Sequence, residues 1–319
     1  MTTFRLFTLA SVAALLPAED STRLTGPTSG LLFDAPSRAI RVVMGVPGAA
    51  YLGAALASDL DNGSVSPNGR LAVTISAGAA SLINVADGPP PLDNTRFSFA
   101  TGCEGAVAWN ADSSAVALNC AEGARLYRIA GGNVERLELA QFAAAKALAV
   151  DASGTAVFAA SANGIYRIDA DSARLLASVE NSSSLALAGK TLYAIDRAGK
   201  QVVAIENLDA SASLRMVVGA GQGLENPLAV GISADGAMLY VAEGGESKSL
   251  RVFNARTAEP VARLELDFDP GRVDALGNGL FLLNARKEAA DTLHVLDARQ
   301  LAVYFIPAQD LGSFANLED

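Results

Sequence analysis

The chain has 319 residues, of which half are hydrophobic and 18% are charged, and its formal net charge is −10. This hydrophobic content excludes general disorder. The negative charge argues against nucleic acid or an anionic membrane surface as a partner, because both bind basic patches.

The first 18 residues are predicted to be a signal peptide. Arg5 precedes an apolar stretch over residues 6–16, which is the order of charge and apolar residues in secretory signals. The alternative is a short helix or an extra strand packed on the rest of the chain. No segment is predicted to span a membrane, since a span takes about 20 apolar residues. The sequence therefore predicts a periplasmic or extracellular protein with a single domain over residues 19–319.

Seven repeats of about 41 residues make up this domain. Each repeat has a turn of small or polar residues followed by a short apolar run. The turns fall near Gly30, Gly69, Ser113, Gly154, Lys190, Gly236 and Gly279. Asn, Asp and Gly suit these positions because Asn and Asp bond to their own backbone and Gly accepts a positive φ.

Four short strands are predicted in each repeat. One apolar run precedes the turn, a second follows it, a third recurs after a variable loop, and a less regular fourth closes most repeats. The runs are too short for the 3.6-residue periodicity of helical repeats. The sequence therefore predicts an all-β fold, a seven-bladed β-propeller of four-stranded antiparallel blades.

Closure of the ring has two possible solutions. The first repeat lacks an obvious innermost strand before Gly30. Either residues 21–30 supply a short strand, or the tail 308–319 comes round to pair there. Either arrangement would remove the exposed edges of an open array.

A polar residue ends the second strand of every repeat. Those that could line a ligand-binding rim on one face of the ring are Asp34, Asn119, Asp196, Glu243 and Asn284. A small polar ligand or a cation such as Ca²⁺ would suit such a rim. Turn formation alone also explains these residue types. No spacing resembles a calcium loop, so no cofactor and no metal ligand is predicted.

Cys103 and Cys120 flank a predicted hairpin in positions that face each other across adjacent strands. They could form a disulfide in an exported protein, or remain two buried thiols. His294 is the only histidine and falls at a half-exposed strand position. Because no Ser–His–acid set or G-x-S-x-G elbow is present, no catalytic residue is predicted.

The segment 226–243, followed by Leu250-Arg-Val-Phe-Asn254, resembles a YVTN- or NHL-type propeller repeat. The resemblance implies a propeller that is lactonase-like or WD40-like at the level of the fold. Such families include surface proteins, lactone hydrolases, quinoprotein subunits and interaction platforms.

Three functional hypotheses follow. The favoured one is an exported, non-catalytic platform that binds an unidentified protein or a small polar ligand through one face of the ring. The alternative is a lactonase or gluconolactonase with a carboxylate-lined central funnel that could hold a divalent cation. A third is a subunit that supports a redox partner.

Overall fold

The computed structural model describes residues 27–86, 97–143 and 145–307. Within these ranges the chain forms seven antiparallel sheets, here called blades, and one short 3-10 helix, Ala220–Gln222. The predicted signal peptide and the tail 308–319 lie outside the described residues. No helix in the described ranges is long and apolar enough to cross a membrane.

The first four blades follow one another along the chain. Blade 1 contains β1 (Thr28–Asp34), β2 (Ala39–Met44) and β3 (Tyr51–Ala57). Blade 2 contains β4 (Asn62–Val65), β5 (Leu71–Ser76), β6 (Ala79–Asn84) and β7 (Phe97–Ala100). Blade 3 contains β8 (Cys103–Trp109), β9 (Ala115–Cys120), β10 (Gly123–Ala130) and β11 (Asn133–Leu137). Blade 4 contains β12 (Ala147–Val150), β13 (Val157–Ser161), β14 (Gly164–Ile168) and β15 (Ala173–Ala177).

The other three blades have the same plan. Blade 5 contains β16 (Leu185–Ala188), β17 (Thr191–Asp196), β18 (Gln201–Glu206) and β19 (Ser213–Val218). Blade 6 contains β20 (Pro227–Ile232), β21 (Met238–Glu243), β22 (Ser249–Asn254) and β23 (Pro260–Glu265). Blade 7 contains β24 (Asp274–Gly277), β25 (Leu280–Leu282), β26 (Leu293–Asp297) and β27 (Ala302–Ile306). In every blade, strands that are consecutive in sequence are neighbours in the sheet.

Turns between the first and second strands have the backbone that their sequences predict. Gly69, Ser113, Gly154 and Gly236 all have φ between 66° and 72°. In the blade 4 turn, Asp151 Oδ1 accepts backbone N–H groups from residues 155 and 156, each at 2.8 Å. These local bonds explain why the same turn chemistry recurs along the chain. Gly30 is different, because it lies inside β1 and not in a turn as the repeat pattern had predicted.

The core is divided among the interfaces between blades. Each of seven buried apolar clusters combines side chains from two neighbouring blades. One cluster joins blade 7 to blade 1, with Leu282 and Val295 packed against Leu32 and Val43. The first and last blades are therefore neighbours, and the seven blades close into a ring.

Candidate functional site

The five residues predicted to line a rim lie at or just after strand ends. Asp34, Asp196 and Glu243 are the last residues of β1, β17 and β21; Asn119 is the penultimate residue of β9, and Asn284 follows β25. Asp34 and Glu243 are buried, and the other three are half-buried. The hydrogen bonds and ion pairs of each side chain determine which of its polar atoms remain available to a ligand.

Both asparagine side chains bond to backbone. Asn119 Nδ2 donates to the Ala145 carbonyl at 2.8 Å, and its Oδ1 accepts the Ala145 N–H at 3.1 Å. Asn284 donates to the Thr292 carbonyl at 2.8 Å and accepts the His294 N–H at 2.7 Å. The amide of Asn119 thus fixes the loop between blades 3 and 4, and that of Asn284 fixes a loop within blade 7.

The Asp196 carboxylate holds the β17–β18 turn. It accepts the Gly199 N–H at 2.9 Å through Oδ1 and Gln201 Nε2 at 2.7 Å through Oδ2. Asp suits this position because its side chain bonds to backbone a few residues further along.

The Glu243 carboxylate ties the strands of blade 6 to the segment that enters the blade. Oε1 accepts the Glu225 N–H at 2.8 Å, and Oε2 lies 2.6 Å from Arg251 Nε and 3.2 Å from Ser249 Oγ. Arg251 Nη1 in turn donates to the Gln222 carbonyl at 2.6 Å. Glu243 is only 3% exposed, so this network is internal to the fold.

Asp34 links blade 1 to blade 7. Arg286, from the loop after β25, places Nη1 3.3 Å from Asp34 Oδ1, and Ser37 Oγ donates to Oδ2 at 2.6 Å. Arg41 Nη1 lies 3.9 Å from Oδ2. All three ionised side chains are buried, and they comprise two positive charges and one negative charge. Asp34 Oδ1 accepts no hydrogen bond from the described residues.

Metal ligands do not converge in the described part of the chain. No three Asp, Glu, His or Cys side chains there come close enough together to hold an ion. The predicted rim residues are separated into local networks, and each is already bonded within the protein.

His294 stacks flat against Phe268, with ring centroids 3.6 Å apart. Its Nδ1 is buried and has no hydrogen-bond partner among the described residues. Burial lowers the pKa of His294 below its usual 6.5, and the nearby Asp267 charge opposes this only in part. The ring therefore favours the neutral form, packed as an aromatic side chain.

This environment predicts a pH dependence of stability. Between pH 6.5 and the lower folded pKa, the unfolded chain binds more protons at the histidine than the folded protein does. The free energy of unfolding should therefore fall as pH decreases from about 7 to 5. Because His294 is the only histidine, His294→Gln should flatten this part of the curve. Urea unfolding at half-unit pH steps measures both proteins, and equal slopes would contradict the assignment.

The sequence comparisons match no known group. No protein-family model and no curated protein matches the chain. Solved structures do match it. The β-propeller domain of Cps50 (Swd1) from Myceliophteria thermophila aligns with a TM-score of 0.54 and 16% identity, over 84% of this chain and 96% of that chain. A chain of the nidogen/laminin complex aligns with a TM-score of 0.51 and 14% identity, over 72% and 90%.

The chain is a β-propeller. The predicted all-β, seven-bladed architecture is confirmed, with blade 1 contributing three strands among the described residues. At such low identity the similarity shows the fold and carries no activity with it.

The propeller contains the disulfide that the hairpin register allowed. Cys103 and Cys120 are directly opposite each other on β8 and β9, and their sulfur atoms are bonded. Both residues are buried in the cluster between blades 2 and 3. The bond therefore links β8 covalently to β9, the first two strands of blade 3.

Large apolar side chains are exposed on the outermost strands of the propeller. They are Leu175 on β15, Leu214 and Met216 on β19, Val261 on β23 and Phe305 on β27. Met216 is 56% exposed and Phe305 is 65% exposed. Sequence reasoning missed this surface because an apolar residue on a strand is normally predicted to face the core. The weaker regularity of the fourth run in each repeat was the signal that could have found it.

Proposed function

We propose that this propeller is a non-catalytic platform that binds a partner protein through the outermost strands of blades 4 to 7. The observation that carries the proposal is the contrast between two sets of side chains. The polar strand-end residues are bonded internally, whereas Leu214, Met216 and Phe305 leave large apolar surfaces in solvent.

A protein is the ligand class that this surface suits. Exposed apolar groups on four successive blades favour an extended contact rather than a small-molecule pocket. Met is enriched at interfaces, and Met216 on β19 is 56% exposed. The outer edge of each such strand also offers backbone groups for pairing with another strand. The sequence had predicted binding through one face of the ring, and the exposed apolar groups favour the outer side of the ring instead.

The proposal includes export to the periplasm or the extracellular space. The predicted signal peptide and the Cys103–Cys120 disulfide both support an oxidising compartment. It also includes a relationship to YVTN- or NHL-type propellers, which rests on the repeat in blade 6. The lactonase alternative has less support, because the predicted rim residues are engaged internally and the described carboxylates form no cluster of three.

Site-specific photo-cross-linking tests the platform and the surface together. A photoreactive residue is placed at Met216, on the outermost strand of blade 5. In a matched variant it is placed at Glu246, an exposed position in the β21–β22 loop on a face of the ring. In extracts of the source cells, the Met216 variant should yield a discrete protein adduct that mass spectrometry identifies. Adducts formed only from the Glu246 variant would support binding through a face of the ring and contradict binding through the outermost strands.

The Leu214→Ser/Met216→Ser variant should lose binding without losing stability. A hot-spot side chain contributes about 2 kcal/mol or more to an interface, so the affinity for the cross-linked partner should fall by roughly thirtyfold or more. Exposed substitutions change stability by only about 0.5 kcal/mol. Calorimetry with the purified partner measures the first effect and urea unfolding the second. An unchanged affinity would remove these two residues from the interface.

A further inference from the structure

We propose that the outer edge of β27 pairs with β27 of a second copy of this chain, so that two propellers share one continuous sheet. Among the described residues, β27 pairs with β26 on one side and has no strand partner on the other. The proposal deepens the proposed function, because it names the occupant of the blade 7 part of the exposed apolar surface. The parts on blades 4 to 6 remain for the partner protein.

The edge of β27 lacks the protection that the other outermost strands have. Natural sheets protect an open edge with charged residues, proline, a β-bulge or a very short strand. The strands β3, β7, β15, β19 and β23 each have a register shift in their pairing. The pairing of β11 is regular, but this strand contains Glu135 and Arg136. In contrast, Ala302-Val-Tyr-Phe-Ile306 has no charged residue and no proline, and it pairs with β26 without a register shift.

The residues of β27 are complementary to a copy of the same strand. An antiparallel pairing across a twofold axis at Tyr304 places Val303 opposite Phe305 of the second copy. Val303 and Phe305 lie on the same side of the sheet, since they pair with Leu296 and His294 on β26. The twofold therefore forms an aromatic–β-branched pair on each side of the axis, a combination that stabilises sheets. No like charges meet, and a charged partner strand would find no opposite charge on β27.

Apolar groups flank this edge on both sides of the sheet. On one side Phe305 is 65% exposed. On the other side Tyr304 and Ile306 line an apolar hollow together with Pro47 from the β2–β3 loop. Val46 of the same loop is 52% exposed. A second copy seated on the edge would remove apolar surface from water in addition to pairing the strands.

The charge of the chain predicts how salt affects this contact. Each copy has a formal net charge of −10, so two copies repel one another at low ionic strength. The paired strands themselves contain no ion pair, so salt screens the repulsion without weakening the contact. The dimer should therefore become tighter as NaCl is added. A single strand edge is a small interface, so we expect a weak dimer that forms at about 0.1 mM or above.

Sedimentation equilibrium of the full-length protein tests the proposal. Between about 10 μM and about 1 mM, the mass of the wild type should rise towards twice that of the monomer, and more steeply in high salt. The Phe305→Lys variant should remain a monomer, because it places a charge in the apolar pair. The matched control is Met216→Lys, which makes the same charge change at an exposed apolar position on β19. It should dimerise as the wild type does.

Hydrogen exchange of the wild type locates the contact, and it gives the answer even if Phe305→Lys does not fold. The β27 amides should exchange at least about fivefold more slowly at the higher concentration, whereas those of β19 should not change. A monomer at every concentration, a Phe305→Lys variant that dimerises, or loss of the dimer in Met216→Lys would overturn the proposal. Protection of β27 that does not depend on concentration would overturn it as well. Failure of the platform itself would appear elsewhere, as the absence of a protein adduct from the Met216 cross-linker.

Discussion

The Glu243→Ala variant is expected to lose about 3–5 kcal/mol of unfolding free energy. The carboxylate is buried, and it joins the Glu225 backbone to the Arg251 and Ser249 side chains. Its removal leaves the largely buried Arg251 charge without a counter-ion and the Glu225 N–H without an acceptor. Both changes remove bonds that cannot be replaced by bulk water at a buried site. Urea unfolding of the purified variant measures the loss.

Two further variants separate the charge from the general effect of mutation. Glu246→Ala removes an exposed carboxylate from the same blade and should change stability by no more than about 0.5 kcal/mol. Glu243→Leu/Arg251→Met replaces the whole ion pair with apolar groups and should be more stable than Glu243→Ala. Equal losses for the single and double variants would show that the ion pair is not the cause.

The Cys103→Ala/Cys120→Ala variant is expected to lose about 3 kcal/mol, because the bond closes a loop with a sequence separation of 17. The two strands remain hydrogen-bonded to each other, so the fold should persist with a lower urea midpoint. Unfolding of the wild-type protein with and without a reductant gives the same comparison without any mutation.

The thiol count is the control for the disulfide. Two thiols that react in unfolded, non-reduced wild-type protein would contradict the bond directly. No reactive thiol under those conditions, together with a lower midpoint after reduction, is the expected pair of results.

The fold was predictable because each repeat is specified by interactions between residues that are close together in the sequence. Turns such as Ser233-Ala-Asp-Gly236 need only neighbouring residues, and Asp235 Oδ1 accepts the N–H of the residue two positions later. Short apolar runs on either side of such turns then specify hairpins. The disulfide register followed from the same counting, since it depends on one hairpin alone.

The roles of Asn119 and Asp34 could not be predicted, because their partners are distant in sequence. Asn119 bonds to a residue 26 positions away, and Asp34 contacts Arg286, which lies 252 positions away. Turn chemistry explained why these residue types recur, but not which backbone groups they hold. The exposed side chains of β19 are a similar case, since the alternation in Ser213-Leu-Arg-Met216 predicts one buried side whereas all four residues are exposed.

Urea unfolding of Glu243→Ala beside Leu214→Ser/Met216→Ser is the most direct test of the central claim, which is that the buried strand-end polar groups stabilise the propeller whereas the exposed side chains of the outer strands contribute little to its stability. We predict a large loss of stability for the first variant and almost none for the second. Replacing an active-site residue often makes the protein more stable, because active sites can be strained for the sake of function. A Glu243→Ala variant as stable as the wild type, or more stable, would therefore contradict the account.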